Sequence, residues 1–170
     1  MRRKLAGHEG LTLVELLAAV VILILLGLIL NAGLQMAMTS YRAMIAQSET
    51  ELLLSTLADI LADDLRYAED VAAKEGMLDS YFSDSYGEGT RLRLENGKVY
   101  ADGGGNSGLR VLPDGAYGLN GRYEVDTMEI GYADRVFTLK LSVKEKDGDI
   151  HAETELAVRC LNPEKKESEP

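Results

Sequence analysis

The sequence has few of the residues that build metal and redox sites. One cysteine and two histidines occur among its 170 residues. A single cysteine excludes a disulfide within the chain, and no ligand spacing typical of a zinc site occurs. We predict His151 on the polar face of a strand and Cys160 on its buried face, which separates the pair. Neither a catalytic residue nor a metal ligand is therefore predicted.

Basic residues are also scarce relative to acidic ones. Lysine and arginine number 18 against 28 aspartates and glutamates, so the formal net charge is −10 with neutral histidines. An acidic surface repels the phosphate backbone of nucleic acids. We therefore expect no direct nucleic-acid binding, and protein partners are favoured.

Polar side chains are missing altogether from residues 16–30. The 20 residues from Leu11 to Leu30 include Thr12 and Glu15 as their only polar members. About 20 apolar residues span the hydrocarbon core of a bilayer as a helix. The segment is therefore predicted to cross a membrane once, and it carries a carboxylate that a plain apolar helix does not need.

Basic residues cluster before the apolar run. No comparable cluster follows Arg2, Arg3 and Lys4 until Arg42. The positive-inside bias then predicts a cytoplasmic N-terminus, with the residues after about Asn31 outside. We predict a single-pass protein of the cytoplasmic (inner) membrane with an extracytoplasmic C-terminal domain.

Two simple interpretations of this segment are a cleaved secretory signal and a plain membrane anchor. A secretory signal needs a small-x-small cleavage site after its apolar region, whereas Leu30-Asn31-Ala32 places a bulky leucine there. A plain anchor satisfies the physics of spanning. It gives no reason, however, for Glu15 or for Gly10 at the junction.

The stretch GLTLVELL, from Gly10 to Leu17, resembles the class III signal of type IV pilins and type II secretion pseudopilins. A short basic leader precedes it and an unbroken apolar run follows it. The resemblance implies that a prepilin peptidase cleaves between Gly10 and Leu11 and then methylates the new amino group of Leu11. It also implies that Glu15 takes part in subunit assembly.

The implied role of Glu15 has a physical reason. In a filament of stacked apolar helices, a buried carboxylate is costly unless a cation meets it. The N-terminal amine of a neighbouring subunit can supply that cation and fix the register of the two chains. We therefore expect Glu15 to be an assembly residue rather than a catalytic one.

Helical periodicity continues beyond the apolar run. Members of one stripe recur at steps of three and four residues, while acidic residues fall mostly on the other side. The stripe comprises Tyr41, Met44, Ile45, Ser48, Leu53, Leu57, Ile60, Leu61, Leu65, Ala68 and Val71. It predicts one amphipathic helix that runs to about Lys74, ends near Gly76 and packs on a sheet.

The second half of the chain has a period of two, which is typical of strands. Asn96-Gly97 suits a type I′ turn and predicts a hairpin in which Glu95 faces Lys98. A second hairpin is predicted around Asp147-Gly148. The predicted strands are Arg91–Glu95, Lys98–Ala101, Leu109–Leu112, Tyr123–Tyr132, Phe137–Lys144 and Ile150–Cys160. A break in the alternation near Thr127 indicates either a bulge or two short strands.

These patterns predict an α+β fold in which a long N-terminal helix, half transmembrane and half amphipathic, packs on an antiparallel sheet. The pilin resemblance implies the same layout. The predicted organisation is a leader over 1–10 that is removed, a transmembrane or filament-core helix over 11–38, a soluble pilin-like domain over 39–162 and a tail over 163–170. The tail is charged and lacks apolar residues, so it is predicted to be disordered.

Two polar segments are predicted to be loops. Asp79–Gly89 has carboxylates and hydroxyls that could bind calcium, as loops do in some pseudopilins, but its spacing does not match an EF-hand. We expect a solvated loop that contacts a partner. Ala101–Gly108 is rich in glycine but lacks the strand-to-helix context of a phosphate loop, so a flexible connection is predicted. No cofactor is expected.

The sequence favours a non-catalytic structural subunit, a minor pilin or pseudopilin. The resemblance implies that the machine is a type IV pilus, a competence pseudopilus or a type II secretion pseudopilus, with an assembled filament that is periplasmic or on the cell surface. The expected partners are the prepilin peptidase, other pilins or pseudopilins, the inner-membrane assembly platform and the membrane. The alternative is a single-pass, membrane-anchored extracytoplasmic binding or sensor domain with no filament role.

Overall fold

A computed structural model describes residues 12–162, which contain one α-helix and eight strands. The helix α1 covers Leu13–Arg66, and two short 3₁₀ turns cover Asp114–Tyr117 and Leu119–Gly121. The strands are β1 Glu69–Lys74, β2 Met77–Ser83, β3 Gly87–Glu95, β4 Lys98–Gly103, β5 Asn106–Arg110, β6 Tyr123–Ala133, β7 Val136–Glu145 and β8 His151–Arg159. The predicted leader and the predicted tail lie outside the described residues.

The chain divides into two compact units, Met1–Arg42 and Ala43–Pro170. Apart from Thr12, the described residues of the first unit all belong to α1. The second unit contains the rest of α1 and all the described strands. The predicted combination of a long N-terminal helix with an antiparallel sheet is therefore present.

The core of the second unit forms where α1 packs on the sheet. Leu57, Leu61 and Leu65 follow one another at four-residue steps and are completely buried. Burying one such side chain contributes about 1.5–3 kcal/mol. On the sheet side, the fully buried side chains of β7 are Phe137, Leu139, Leu141 and Val143, at alternate positions.

The eight described strands form one antiparallel sheet. Seven of them lie in the order β5-β4-β3-β2-β6-β7-β8, and β1 pairs with β2 outside that path. The strands β5-β4-β3-β2 join the strands β6-β7-β8 through the pairing of β2 with β6, where Met77 lies opposite Gly131. The backbone N–H of Tyr132 also donates to the carbonyl of Gly76 at 2.9 Å.

Both predicted hairpins are confirmed. In the β3–β4 hairpin Glu95 lies opposite Lys98, and the turn residues Asn96 and Gly97 have φ of 50° and 71°, as a type I′ turn requires. β7 and β8 pair without a break in register. Of the two alternatives near Thr127, the bulge is present, because β6 is one strand whose register with β7 shifts between Val125 and Thr127.

The predicted end of the helix near Gly76 is wrong, since α1 ends at Arg66. The segment after β8 satisfies the carbonyls at this end. The N–H of Leu161 donates to the Arg66 carbonyl at 2.8 Å, and the Asn162 amide donates to the Tyr67 carbonyl at 2.7 Å. The chain then continues as β1, and Gly76 serves the turn between β1 and β2.

The predicted stripe is only partly buried. Tyr41, Met44 and Ile45 are exposed, and burial on α1 begins at Ala46. Ala68 is buried, but it lies beyond the helix. The periodicity therefore identified the helix correctly and assigned too much of one face to the core.

Both predicted loops are largely strands, so these predictions are wrong. Residues 79–83 belong to β2 and 87–89 to β3, and the turn between them is Asp84–Tyr86. Residues 101–108 form the β4–β5 hairpin, which turns at Gly104 and Gly105 with positive φ. The strand predicted over Leu109–Leu112 begins earlier and ends at Arg110. These strands are rich in polar residues and glycine. They therefore lack the alternation of hydrophobic residues by which a strand is predicted from sequence.

Candidate functional site

The start of α1 brings Thr12 and Glu15 together. Glu15 Oε2 accepts hydrogen bonds from the Thr12 backbone N–H at 2.9 Å and from Thr12 Oγ1 at 3.0 Å. The Glu15 N–H donates in return to Thr12 Oγ1 at 3.3 Å. This reciprocal pair is a capping box, in which side chains satisfy N–H groups that the first helical turn leaves unpaired.

Both side-chain contacts of Glu15 use the same carboxylate oxygen. No described residue donates to the other oxygen, Oε1, and the side chain is exposed. The capping box therefore holds the carboxylate in one place and leaves an acceptor available. An amine or another cation from outside the described residues could bind there.

The surroundings of Glu15 are apolar and uncovered. α1 contains an 18-residue window of mean hydropathy 3.1, and none of that window is buried. By length and composition this helix could cross a membrane once. Gly10 and Leu11, the predicted cleavage and methylation positions, lie outside the described residues.

A second polar cluster joins α1 to the β2–β3 turn. Asp64 accepts hydrogen bonds from Tyr81 Oη at 2.5 Å and from Ser83 Oγ at 2.6 Å. Ser83 Oγ accepts in turn from the N–H groups of Ser85 and Tyr86, both at 3.1 Å. Burial, followed by the negative charge of Asp64, raises the pKa of Tyr81 well above its usual range. The cluster fixes the turn to the helix through internal bonds.

The calcium interpretation of this region gains no support from the geometry. Asp79 lies on β2, where it faces Arg91 at 3.8 Å, and Asp84 lies in the turn. Among residues 12–162, no three histidine, cysteine, aspartate or glutamate side chains are grouped in a way that could hold a metal ion. Calcium is therefore not part of the proposal below.

A cleft of about 260 Å³ lies beside α1 in the second unit. Leu52, Leu53 and Ala116 line it, with Glu49 and Tyr123 supplying its polar atoms. Tyr123 Oη donates to Glu49 Oε2 at 2.6 Å. Burial and then this hydrogen bond raise the pKa of Tyr123 to about 12. The Tyr123 hydroxyl and one oxygen of Glu49 are therefore occupied by each other.

His151 and Cys160 are separated as strand parity predicts. His151 is exposed, whereas Cys160 is buried and its thiol lies 3.1 Å from the Ala68 carbonyl. The thiol therefore behaves as a small buried group at the end of α1. The two side chains do not form a nucleophile–base pair.

Comparison of the chain with family models, with curated proteins and with solved structures found no match. The functional interpretation therefore depends on the chemistry of the chain itself. Of the predicted site residues, Glu15 is described, and its capping role is an addition that sequence reasoning missed. The signal was visible, because Thr12-Leu13-Val14-Glu15 has the threonine-x-x-glutamate spacing of a capping box.

Proposed function

We propose that the chain is a non-catalytic subunit, a minor pilin or pseudopilin, of a type IV pilus, competence pseudopilus or type II secretion pseudopilus. The observation that carries the proposal is the position and bonding of the Glu15 carboxylate. One oxygen of this carboxylate has no partner among residues 12–162, and Glu15 stands at the start of an exposed apolar helix, five residues after Gly10. A prepilin peptidase cleaves the junction between Gly10 and Leu11 and methylates the amine of Leu11.

The proposed mechanism uses two properties of α1. Before assembly, lipid surrounds the exposed apolar side chains of residues 16–30. During assembly, helices of neighbouring subunits replace the lipid, and the Leu11 amine of a neighbour pairs with Glu15. Apolar contacts are not directional, whereas a single charge pair in apolar surroundings selects one register. Thr12 holds Oε2, so Oε1 is oriented before the neighbour arrives.

Charge limits the partners of the exposed domain. Removal of residues 1–10 takes away three of the 18 basic residues and one of the 28 acidic ones, which leaves a net charge of −12 with neutral histidines. Direct capture of nucleic acid by this subunit is therefore not part of the proposal. Its partners are other subunits, the inner-membrane assembly platform and the membrane.

The capping box favours one alternative function. Because Thr12 already gives Glu15 a local role, the segment could be a plain anchor for an extracytoplasmic binding or sensor domain. That alternative explains Glu15 without a neighbouring chain. It predicts that the charge of Glu15 is dispensable as long as the cap remains.

Two substitutions distinguish the cap from the charge. Glu15→Gln keeps a side chain that can cap the helix but removes the negative charge, whereas Glu15→Ala removes both. We expect the two variants to be inserted and processed like the native chain and to be depleted similarly from sheared filaments. Quantitative immunoblotting of filament and membrane fractions, with intact mass to confirm processing, measures this.

The native chain and Thr39→Ala serve as controls, since Thr39 is an exposed α1 residue whose hydroxyl donates to the Gln35 carbonyl of its own helix. If the Glu15→Gln protein enters filaments at the native level, the charge has no assembly role. The chain would still be a filament subunit in that case; the anchor alternative is supported instead if the native chain itself is absent from sheared filaments.

A further inference from the structure

β8 forms one edge of the sheet. It pairs with β7 over all nine of its residues without a register shift. On its other side, no residue of the range 12–162 forms a backbone hydrogen bond with it. Alternate residues of an edge strand direct unpaired N–H and C=O groups to solvent, and such a row can accept a further strand.

The opposite edge of the sheet is less suited to pairing. β5 has five residues, and Gly108 within it has a φ of 71°. A short, irregular edge is a common protection against unwanted pairing. β8 contains neither proline nor glycine and has no bulge. β1 is a third edge, because it pairs with β2 alone among the described strands, and its register with β2 shifts twice. Of the three edges, β8 is the regular one.

The outer face of the sheet has a pattern of charges that stops at β8. Glu129 of β6 lies opposite Lys140 of β7, which lies opposite Glu155 of β8 with the charged atoms 3.7 Å apart. Glu153, two residues before Glu155, has no ion pair among the described residues. Opposite charges stabilise neighbouring strands. The next strand in this series would carry cations opposite Glu153 and Glu155.

The inner face has an apolar row that also stops at β8. Ile130, Leu139 and Leu156 lie opposite one another on β6, β7 and β8. Leu139 is completely buried, whereas Leu156 at the edge is only half-buried. An apolar side chain on an added strand would cover Leu156 in the way that Leu156 covers Leu139.

We propose that β8 is a docking edge for an extended segment of a partner protein in which lysine or arginine alternates with valine, isoleucine or leucine. The cations pair with Glu153 and Glu155, the apolar side chains cover Leu156, and the two backbones share hydrogen bonds. A second copy of β8 is a poorer occupant, because its exposed face supplies one arginine, Arg159, together with the same two glutamates. This role is independent of whether α1 enters a filament.

A direct test uses the full chain in detergent micelles and a fluorescent peptide of about seven residues in which lysine and valine alternate. A peptide of the same composition, with its lysines in one block, is the control for non-specific attraction to an acidic protein. We expect the alternating peptide to bind about tenfold more tightly by fluorescence anisotropy. Hydrogen–deuterium exchange should slow in β8 and not in β5.

A charge reversal tests the proposed pairing. The double variant Glu153→Lys, Glu155→Lys should bind the lysine–valine peptide about tenfold more weakly and should prefer an alternating glutamate–valine peptide. The double variant Glu75→Lys, Glu88→Lys makes the same change in net charge at two other exposed positions and should bind as the native chain does. If the reversal disturbs folding, Glu153→Gln with Glu155→Gln tests the same pairing with smaller changes.

Several results would overturn the proposal. One is absence of binding by the alternating peptide, and another is equal weakening in both charge-reversed proteins, which would mean attraction by net charge alone. Slowed exchange in β5 rather than β8 would show that the peptide binds to the β5 edge. Protection of β8 that rises with protein concentration without peptide would identify a second copy as the occupant.

Discussion

Leucines of α1 have opposite surroundings in the two units. Leu25 and Leu26 of the first unit are 55% and 52% exposed, whereas Leu57 and Leu61 of the second are 0% exposed. Residue type and helical conformation are the same, so the difference lies in what covers the helix. A sheet covers it in the second unit, whereas no described residue covers it in the first. By length and composition this apolar helix could cross a membrane, where lipid would cover the leucines that the sheet does not.

Truncation of these leucines gives the largest expected effect. Leu57→Ala should lower the free energy of unfolding of the second unit by about 2–5 kcal/mol, because it leaves a cavity in a closed core. Leu26→Ala should change it by less than about 0.5 kcal/mol, because that side chain contributes nothing to this core. Urea titration of the full chain in micelles, followed by tyrosine fluorescence, measures both values. Equal losses in the two variants would contradict the division into units.

Asp64 gives an intermediate effect within the second unit. Asp64→Asn replaces a charged acceptor of two hydroxyl groups by an amide, which should cost about 1.5–3 kcal/mol of unfolding free energy. Asp63→Asn is the matched control, because Asp63 forms an exposed ion pair with Arg66. Its loss should cost less than about 1 kcal/mol. The same urea titration measures both. If Asp64→Asn leaves the free energy of unfolding unchanged, this cluster does not contribute to the stability of the fold.

Tyr123 gives the smallest effect, and it appears only at high pH. Its pKa rises from 10.0 to about 12 in the folded chain, so the folded state holds the proton more tightly than the unfolded state does. Its contribution to stability is therefore complete below pH 10 and is lost as the pH rises through about 12. Tyr123→Phe should make the fall of the unfolding midpoint over this range shallower.

Tyr41→Phe is the control for that measurement, because Tyr41 is exposed and lies in the first unit. Other buried tyrosines also have raised pKa values, so the fall of the midpoint should be reduced rather than abolished. An unchanged profile in Tyr123→Phe would mean that the contact with Glu49 does not influence the titration.

Local patterns in the sequence predicted those parts of the fold that depend on local chemistry. Asn96-Gly97 specified a turn, and the turn specified that Glu95 faces Lys98. The end of α1 could not be predicted in this way. The carbonyl of its last residue, Arg66, accepts from the N–H of Leu161, which is about 95 residues away. No periodicity within the helix indicates that contact.

The same distinction applies to the candidate site. Glu15 could be identified because its carboxylate is anomalous in an apolar run, and its capping role follows from the spacing to Thr12. The strands around Tyr81 and Ser83 were predicted to be loops, because their hydroxyl groups are typical of solvated segments. Asp64 pairs with those hydroxyls from another element, and sequence alone does not show which side chains meet.

The measurement that tests the central proposal most directly is the intact mass of the protein from its native membrane, with and without the prepilin peptidase. We predict a chain that begins at N-methylated Leu11 when the peptidase is present and at Met1 when it is absent. A chain that begins at Met1 under both conditions would contradict the pilin interpretation. Glu15 would then be a helix cap in a plain membrane anchor.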